Sequence, residues 1–137
     1  MAKNILEKKW GEDSLSMGWT SIPSSLLFLQ STLLISSNAL NVLLHLVMHW
    51  WDINKNPHPS QKAIAGRMGV SVRTVQRALY ELEENHIITK QTTRKEHPIY
   101  KGRNIYDLSP LTHLLQELTP TLKENIQEKK FTFSDDE

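Results

Sequence analysis

Four side chains within one short stretch, Arg73, Thr74, Gln76 and Arg77, carry hydrogen-bonding groups in fixed patterns. A guanidinium offers a fork of donors that matches the two acceptors on a guanine edge. A glutamine amide offers one donor and one acceptor, the complement of adenine, and a threonine can touch a thymine methyl or a phosphate. The chemistry on offer is recognition of an edge rather than bond breaking. A solvated helix face would also contain such residues, so their meaning depends on what holds them.

The surrounding pattern is helical. Val72, Val75, Ala78, Leu79 and Leu82 form an apolar stripe, and residues 73, 74, 76, 77 and Tyr80 therefore point the other way. Ser71 is placed to cap this helix, and Asn85 to stop it. Just upstream, Ser60 caps a shorter predicted helix, "QKAIAGRM", and Gly69 stands where a helix end needs positive φ. Ala65 is small enough to let the two helices approach, with Val70 plugging the turn between them. Two helices locked by a short turn, the second with a free polar edge, make a helix-turn-helix. The acids Glu81, Glu83 and Glu84 gather at the far end, the reverse of the layout that favours the helix dipole. That layout costs intrinsic stability and keeps carboxylates away from any anion met by the first turns.

Charge supports an anionic partner. The chain has 137 residues and a formal net charge of +1, but residues 60–106 hold nine Lys/Arg against four Asp/Glu, and residues 107–137 hold three against seven. A basic middle beside an acidic tail suits a segment that faces a polyanion. There is no cysteine, which excludes disulfides, thiolate metal sites and a cysteine nucleophile. No phosphate-binding glycine loop or nucleophile elbow occurs, and the carboxylates lack an obvious base or metal partner, so an enzyme is not expected. The run Ala39–Trp51 is too short to span a bilayer, and the N-terminus lacks the features of a signal peptide. A cytoplasmic protein without membrane contact is expected.

The remaining elements frame this centre. Residues 1–19 read as a flexible arm, and Ser24 as the cap of a short helix carrying Leu26, Leu27 and Leu29. A long apolar helix capped by Ser36 or Ser37 runs toward Trp50 and Trp51, which suit core or dimer contacts. His45 and His49 stand at i, i+4, but no carboxylate or thiol accompanies them, so packing or exposure is expected rather than a metal site. After the polar-edged helix come two β-prone runs, "HIITKQTTRKE" and "NIYDLSP", around a loop "HPIYKGR". This hairpin carries Lys90, Arg94, Lys95, Lys101 and Arg103 against Glu96 alone. Its cations can track phosphate, although lysines also protect an edge hairpin from aggregation. Pro110 opens a last helix with Leu111, Leu114, Leu115 and Leu118, and a more charged stretch follows from Thr119.

Taken together, "PSQKAIAGRMGVSVRTVQRALYELEENHIITK" resembles the core of small bacterial, phage and plasmid winged helix-turn-helix proteins. "GRNIYDLSPL" is similar to their second wing strand, and "GWTSIPSSLLFLQ" to a lead-in found in small prophage and plasmid members. The resemblance spans roughly residues 18 to 112. It implies a mainly α fold with a small β-hairpin wing, a winged helix-turn-helix at 20–110, followed by a helical extension with an acidic tail at 111–137. It also implies double-stranded DNA as partner. Base reading falls to Arg73, Thr74, Gln76 and Arg77. Backbone contact falls to Ser60, Gln61, Lys62, Ser71 and Tyr80, with the wing residues Lys90, Arg94, Lys95, Lys101 and Arg103. No cofactor or metal is expected, and whether a small-molecule effector acts is open. A transcriptional regulator, for instance a repressor, is the leading expectation. A replication-initiation DNA-binding protein and a winged helix used only for protein contacts are the alternatives. The leucines of the first long helix and of "LTHLLQEL" suggest a homodimer reading a two-fold related site, with a place in the chain's own core as the alternative.

Overall fold

Three serines start the three central helices, and each does so through its own side chain. Ser36 Oγ accepts from the N–H of Ala39 at 3.2 Å, Ser60 Oγ from Ala63 at 3.0 Å, and Ser71 Oγ from Thr74 at 3.1 Å. Each bond satisfies a backbone donor that a helix start leaves unpaired. The computed structural model describes residues 2–128, so the end of the expected acidic tail lies outside the described residues. In chain order the helices are α1 (Ala2–Trp10), α2 (Ser24–Phe28), α3 (Ser37–Met48), α4 (Gln61–Met68) and α5 (Val72–Glu84). The strands β1 (Thr89–Gln91) and β2 (Ile105–Asp107) follow, and then α6 (Ser109–Glu128).

The turn between α4 and α5 is set by Gly69, which is left-handed at φ 68°. There the N–H of Val70 returns to the Ala65 carbonyl at 3.0 Å. The stripe expected on α5 is buried at Val75, Ala78, Leu79 and Leu82, while Val72 stays 37% exposed at the first turn. Across from it α3 buries Ala39, Val42, Leu43 and Leu46, and α4 adds Ile64 and Ala65. Ile87 and Ile88 close the same core from the link between α5 and β1, Tyr106 from β2, Leu26, Leu29 and Leu33 from the N-terminal side, and Leu111 and Leu115 from α6. The leucines that suited either a dimer or the core are therefore largely seated in the chain's own core.

The hairpin is antiparallel, with Lys90 opposite Tyr106. β2 also reaches the other way, since the Tyr106 N–H donates to the Pro57 carbonyl at 2.9 Å. The strands are shorter than their β-prone runs. His86 takes the left-handed conformation at φ 59° and the N–H of Ile87 bonds the Leu82 carbonyl at 2.9 Å, so the first part of the run ends α5 instead of starting the sheet. The hydrophobic contacts of Ile87 and Ile88 then hold the chain to the core.

Other boundaries also differ from the sequence pattern. Pro23, not Ser24, is the residue preceding α2, and no side chain caps that helix. α3 stops at Met48, leaving Trp50 half-buried against the core and Trp51 87% exposed, with its indole N–H on the Met48 carbonyl. Trp51 is thus not a core residue. The 1–19 segment carries α1 and a 3-10 turn, Asp13–Leu15. At the C-terminal side, α6 runs through Pro120 as one helix, and the hydroxyl of the preceding Thr119 donates to the Leu115 carbonyl. Among the described residues no helix is long and apolar enough to cross a membrane.

Candidate nucleic-acid interface

With its stripe pressed on α3 and α4, α5 presents Arg73, Gln76, Arg77 and Tyr80 to solvent, and these four line one open recess. Thr74 is half-buried at the first turn, where its hydroxyl lies 3.0 Å from Ser71 Oγ. Gln76 is not free to swing, because its Nε2 donates to Oε1 of Gln61 at 3.0 Å. Gln61 opens α4 immediately after the Ser60 cap. The exposed edge of α5 and the start of α4 therefore form one surface, joined through this amide pair. Lys62, the next residue of α4, is exposed.

The wing adjoins the same surface. Ser60 and Gln61 face Lys101, Gly102, Arg103 and Asn104 across a cleft of about 500 Å³. The loop between β1 and β2 is longer than the expected "HPIYKGR" and folds on itself. Thr93 Oγ1 donates to the Arg103 carbonyl at 2.6 Å, and the Lys101 N–H to the His97 carbonyl at 3.1 Å. His97 Nδ1 accepts from the N–H groups of Ile99 and Tyr100, each at 3.1 Å. Tyr100 in turn meets the edge of His58 with ring centroids 4.8 Å apart. Gly102 lets the loop close because its φ of 88° lies in the left-handed region that side chains with a Cβ rarely adopt, and it sits against Lys95. Arg94, Lys95, Lys101 and Arg103 are all exposed on this loop. Lys90 is set apart from them: it lies in β1 and pairs with Glu83 of α5 at 3.4 Å.

The acids of α5 are spoken for one by one. Glu81 turns to α3, where its carboxylate accepts from the backbone N–H and the hydroxyl of Ser36, both at 2.9 Å. Glu83 holds Lys90. Glu84 accepts from the Tyr80 hydroxyl, and this bond, with the nearby Glu84 charge, raises the Tyr80 pKa. Sequence reasoning placed these three carboxylates together at a solvated helix end. It missed Glu81 as a staple to α3, and it missed Asn85, whose Nδ2 donates to the Leu34 carbonyl at 3.1 Å. Both partners are distant in sequence, so no local signal marks them.

His45 and His49 do not converge on a common point. His45 Nδ1 lies 2.8 Å from the Asn41 carbonyl, while Arg67 reaches Nε2 of His49 at 3.0 Å. Among the described residues no group of three or more histidines and carboxylates is arranged to hold a metal ion.

Helices α3, α4 and α5 with the β1–β2 hairpin define a winged helix-turn-helix. Residues 33–88, which include all three of these helices, match a family model described as "Helix-turn-helix domain". Among solved structures, the chain is similar to one in the crystal structure of the S. aureus MepR–DNA complex. Identity is 17%, the alignment covers 81% of this chain and 83% of that one, and the TM-score is 0.46. No curated protein matches the sequence.

Proposed function

We propose that the chain is a sequence-specific double-stranded DNA-binding protein acting as a transcriptional regulator. The observation that carries this reading is the shared surface itself. The exposed edge of α5, the start of α4 and the cationic loop adjoin one another, while Glu81 and Glu83 are held by partners. In this reading the N-terminal half of α5 enters the major groove. Arg73 and Arg77 present donor forks to guanine, Gln76 takes adenine, and Thr74 sits close enough to the cap to reach a thymine methyl or a phosphate. Ser60, Lys62, Ser71 and Tyr80 lie beside the backbone, and Arg94, Lys95, Lys101 and Arg103 neutralise phosphates along the wing. Regulation follows from occupancy, because a protein seated on a promoter blocks polymerase or offers it a contact. The core takes up Leu43, Leu46, Leu111 and Leu115 but leaves Leu40, Leu114 and Leu118 only partly buried, and in this reading a homodimer sets two such units on a two-fold related site.

Each phosphate contact releases condensed counterions, which gives a direct test. Affinity for duplex DNA measured at several salt concentrations is expected to fall steeply. Replacing Arg94 and Lys95 together by alanine is expected to reduce the slope of log K against log salt by about 1 to 2. Binding that ignores salt, or a slope unchanged in the variant, contradicts phosphate contact by the wing.

A further inference from the structure

We infer that the recess between the end of α3, the link 50–59 and the wing holds one unpaired nucleotide of a single strand. Its base would stack on Trp51, with a phosphate on Lys55 and Arg103. This extends the DNA-binding reading past base pairs and rests on it for the neighbouring surface. The recess has a volume of about 380 Å³, and His49, Asp52 and His58 line it beside those three residues. That size suits one nucleotide rather than a run of them. Trp51 lies three residues past the end of α3 and is left 87% exposed. Its indole N–H donates to the Met48 carbonyl, which pins the ring by its edge and leaves a face open.

An exposed tryptophan by itself is ordinary, and its neighbours decide what it fits. The centre of a protein–protein contact is depleted of charge. Here an ammonium and a guanidinium flank the ring, and Arg67 stands behind His49 with its Nη1 3.0 Å from Nε2. Asp52 also lines the recess, but its Oδ1 is taken up by the Asn54 N–H at 2.9 Å. Aromatic faces interleaved with cations suit a single strand, because every base offers a π-face and every nucleotide brings a phosphate. The parts are held before a ligand arrives. The Lys55 N–H closes a turn on the Asp52 carbonyl at 2.9 Å. The edge contact of His58 with Tyr100 ties the loop that carries Arg103 to the link. The recess is also continuous with the surface already described. Pro59 and Arg103 line both it and the cleft between the wing and the start of α4, so a strand leaving a duplex seated there meets Trp51 next.

The test uses the full chain and a duplex selected from random DNA, either blunt or with a tail of about five unpaired thymidines added at each strand end in turn. The native protein is expected to bind one of the tailed duplexes about tenfold more tightly than the blunt one, as stacking of a base gives. A tail of abasic sites carries the phosphates without the bases, and its gain is expected to be at most about twofold. Trp51→Ala is expected to abolish the gain and to leave affinity for the blunt duplex unchanged. Trp51→Phe keeps a stacking face and is expected to keep most of the gain, while Lys55→Ala is expected to reduce it. No gain from any tail, an equal gain from the abasic tail, or an undiminished gain in Trp51→Ala would overturn the inference and leave the duplex reading intact. A chain that binds a thymidine oligonucleotide through Trp51 but binds no duplex would overturn the duplex reading and support the stacking site.

Discussion

Arg67 can only donate, so its 3.0 Å contact with Nε2 of His49 fixes that ring as the acceptor and places its remaining hydrogen on Nδ1. Partial burial holds the His49 pKa below the ordinary imidazole value of 6.5, and the charge of Arg67, then His45 and His58, push the same way. The folded state therefore binds fewer protons than the unfolded chain as pH falls below 6.5. The His49 contribution is fully present above that value and is lost as pH falls through the lower folded value. Denaturation followed between neutral and mildly acidic pH is expected to show stability declining in that window, with a shallower decline in His49→Gln. An identical pH profile in the variant would show that His49 does not titrate in this way. The spacing of His45 and His49 is visible in sequence, but their separate partners are not. Arg67 belongs to another helix, and only the tertiary fold brings it near.

At the scale of elements, the local grammar was legible and the long-range staples were not. Ser60, Gly69, Ser71 and Asn85 take the cap positions that their types suggest, because caps depend on neighbours three or four residues away. Glu81 depends on Ser36, which lies 45 residues earlier. It joins the last turn of α5 to the start of α3, where it satisfies a backbone N–H and a hydroxyl together. Removing it is expected to lower stability by about 1 to 2 kcal/mol, the range for hydrogen bonds to a charged acceptor discounted for partial exposure. Chemical denaturation of Glu81→Ala measures this, and an unchanged midpoint would mean that water replaces the carboxylate without loss. The strands are shorter than their β-prone runs for a related reason. Ile87 and Ile88 have β-prone side chains, yet the left-handed turn at His86 and their burial commit them to closing the core. The more charged stretch from Thr119, set apart from the last helix in the sequence pattern, continues it without a break, and α6 runs through Pro120 to Glu128.

For the molecule as a whole, the stretch 60–106 that stood out for its nine cations is the stretch that builds one side of the fold. It contains α4, α5 and the hairpin, while α3 and α6 supply core behind them. The order of helices and hairpin was readable because each element has its own periodicity and stop signals. How the wing loop folds was not, since its shape comes from separate contacts within an irregular segment: His97 with the Ile99 and Tyr100 backbone, Thr93 with Arg103, and a left-handed turn at Gly102. The central claim is that the exposed edge of α5 reads DNA. It is tested most directly by titrating a duplex selected from a random pool with the native chain and with Arg73→Ala/Arg77→Ala. Loss of two base contacts is expected to cost about 2 to 6 kcal/mol of discrimination, leaving mainly weak, salt-dependent binding. Affinity and sequence preference equal to those of the native chain would contradict it.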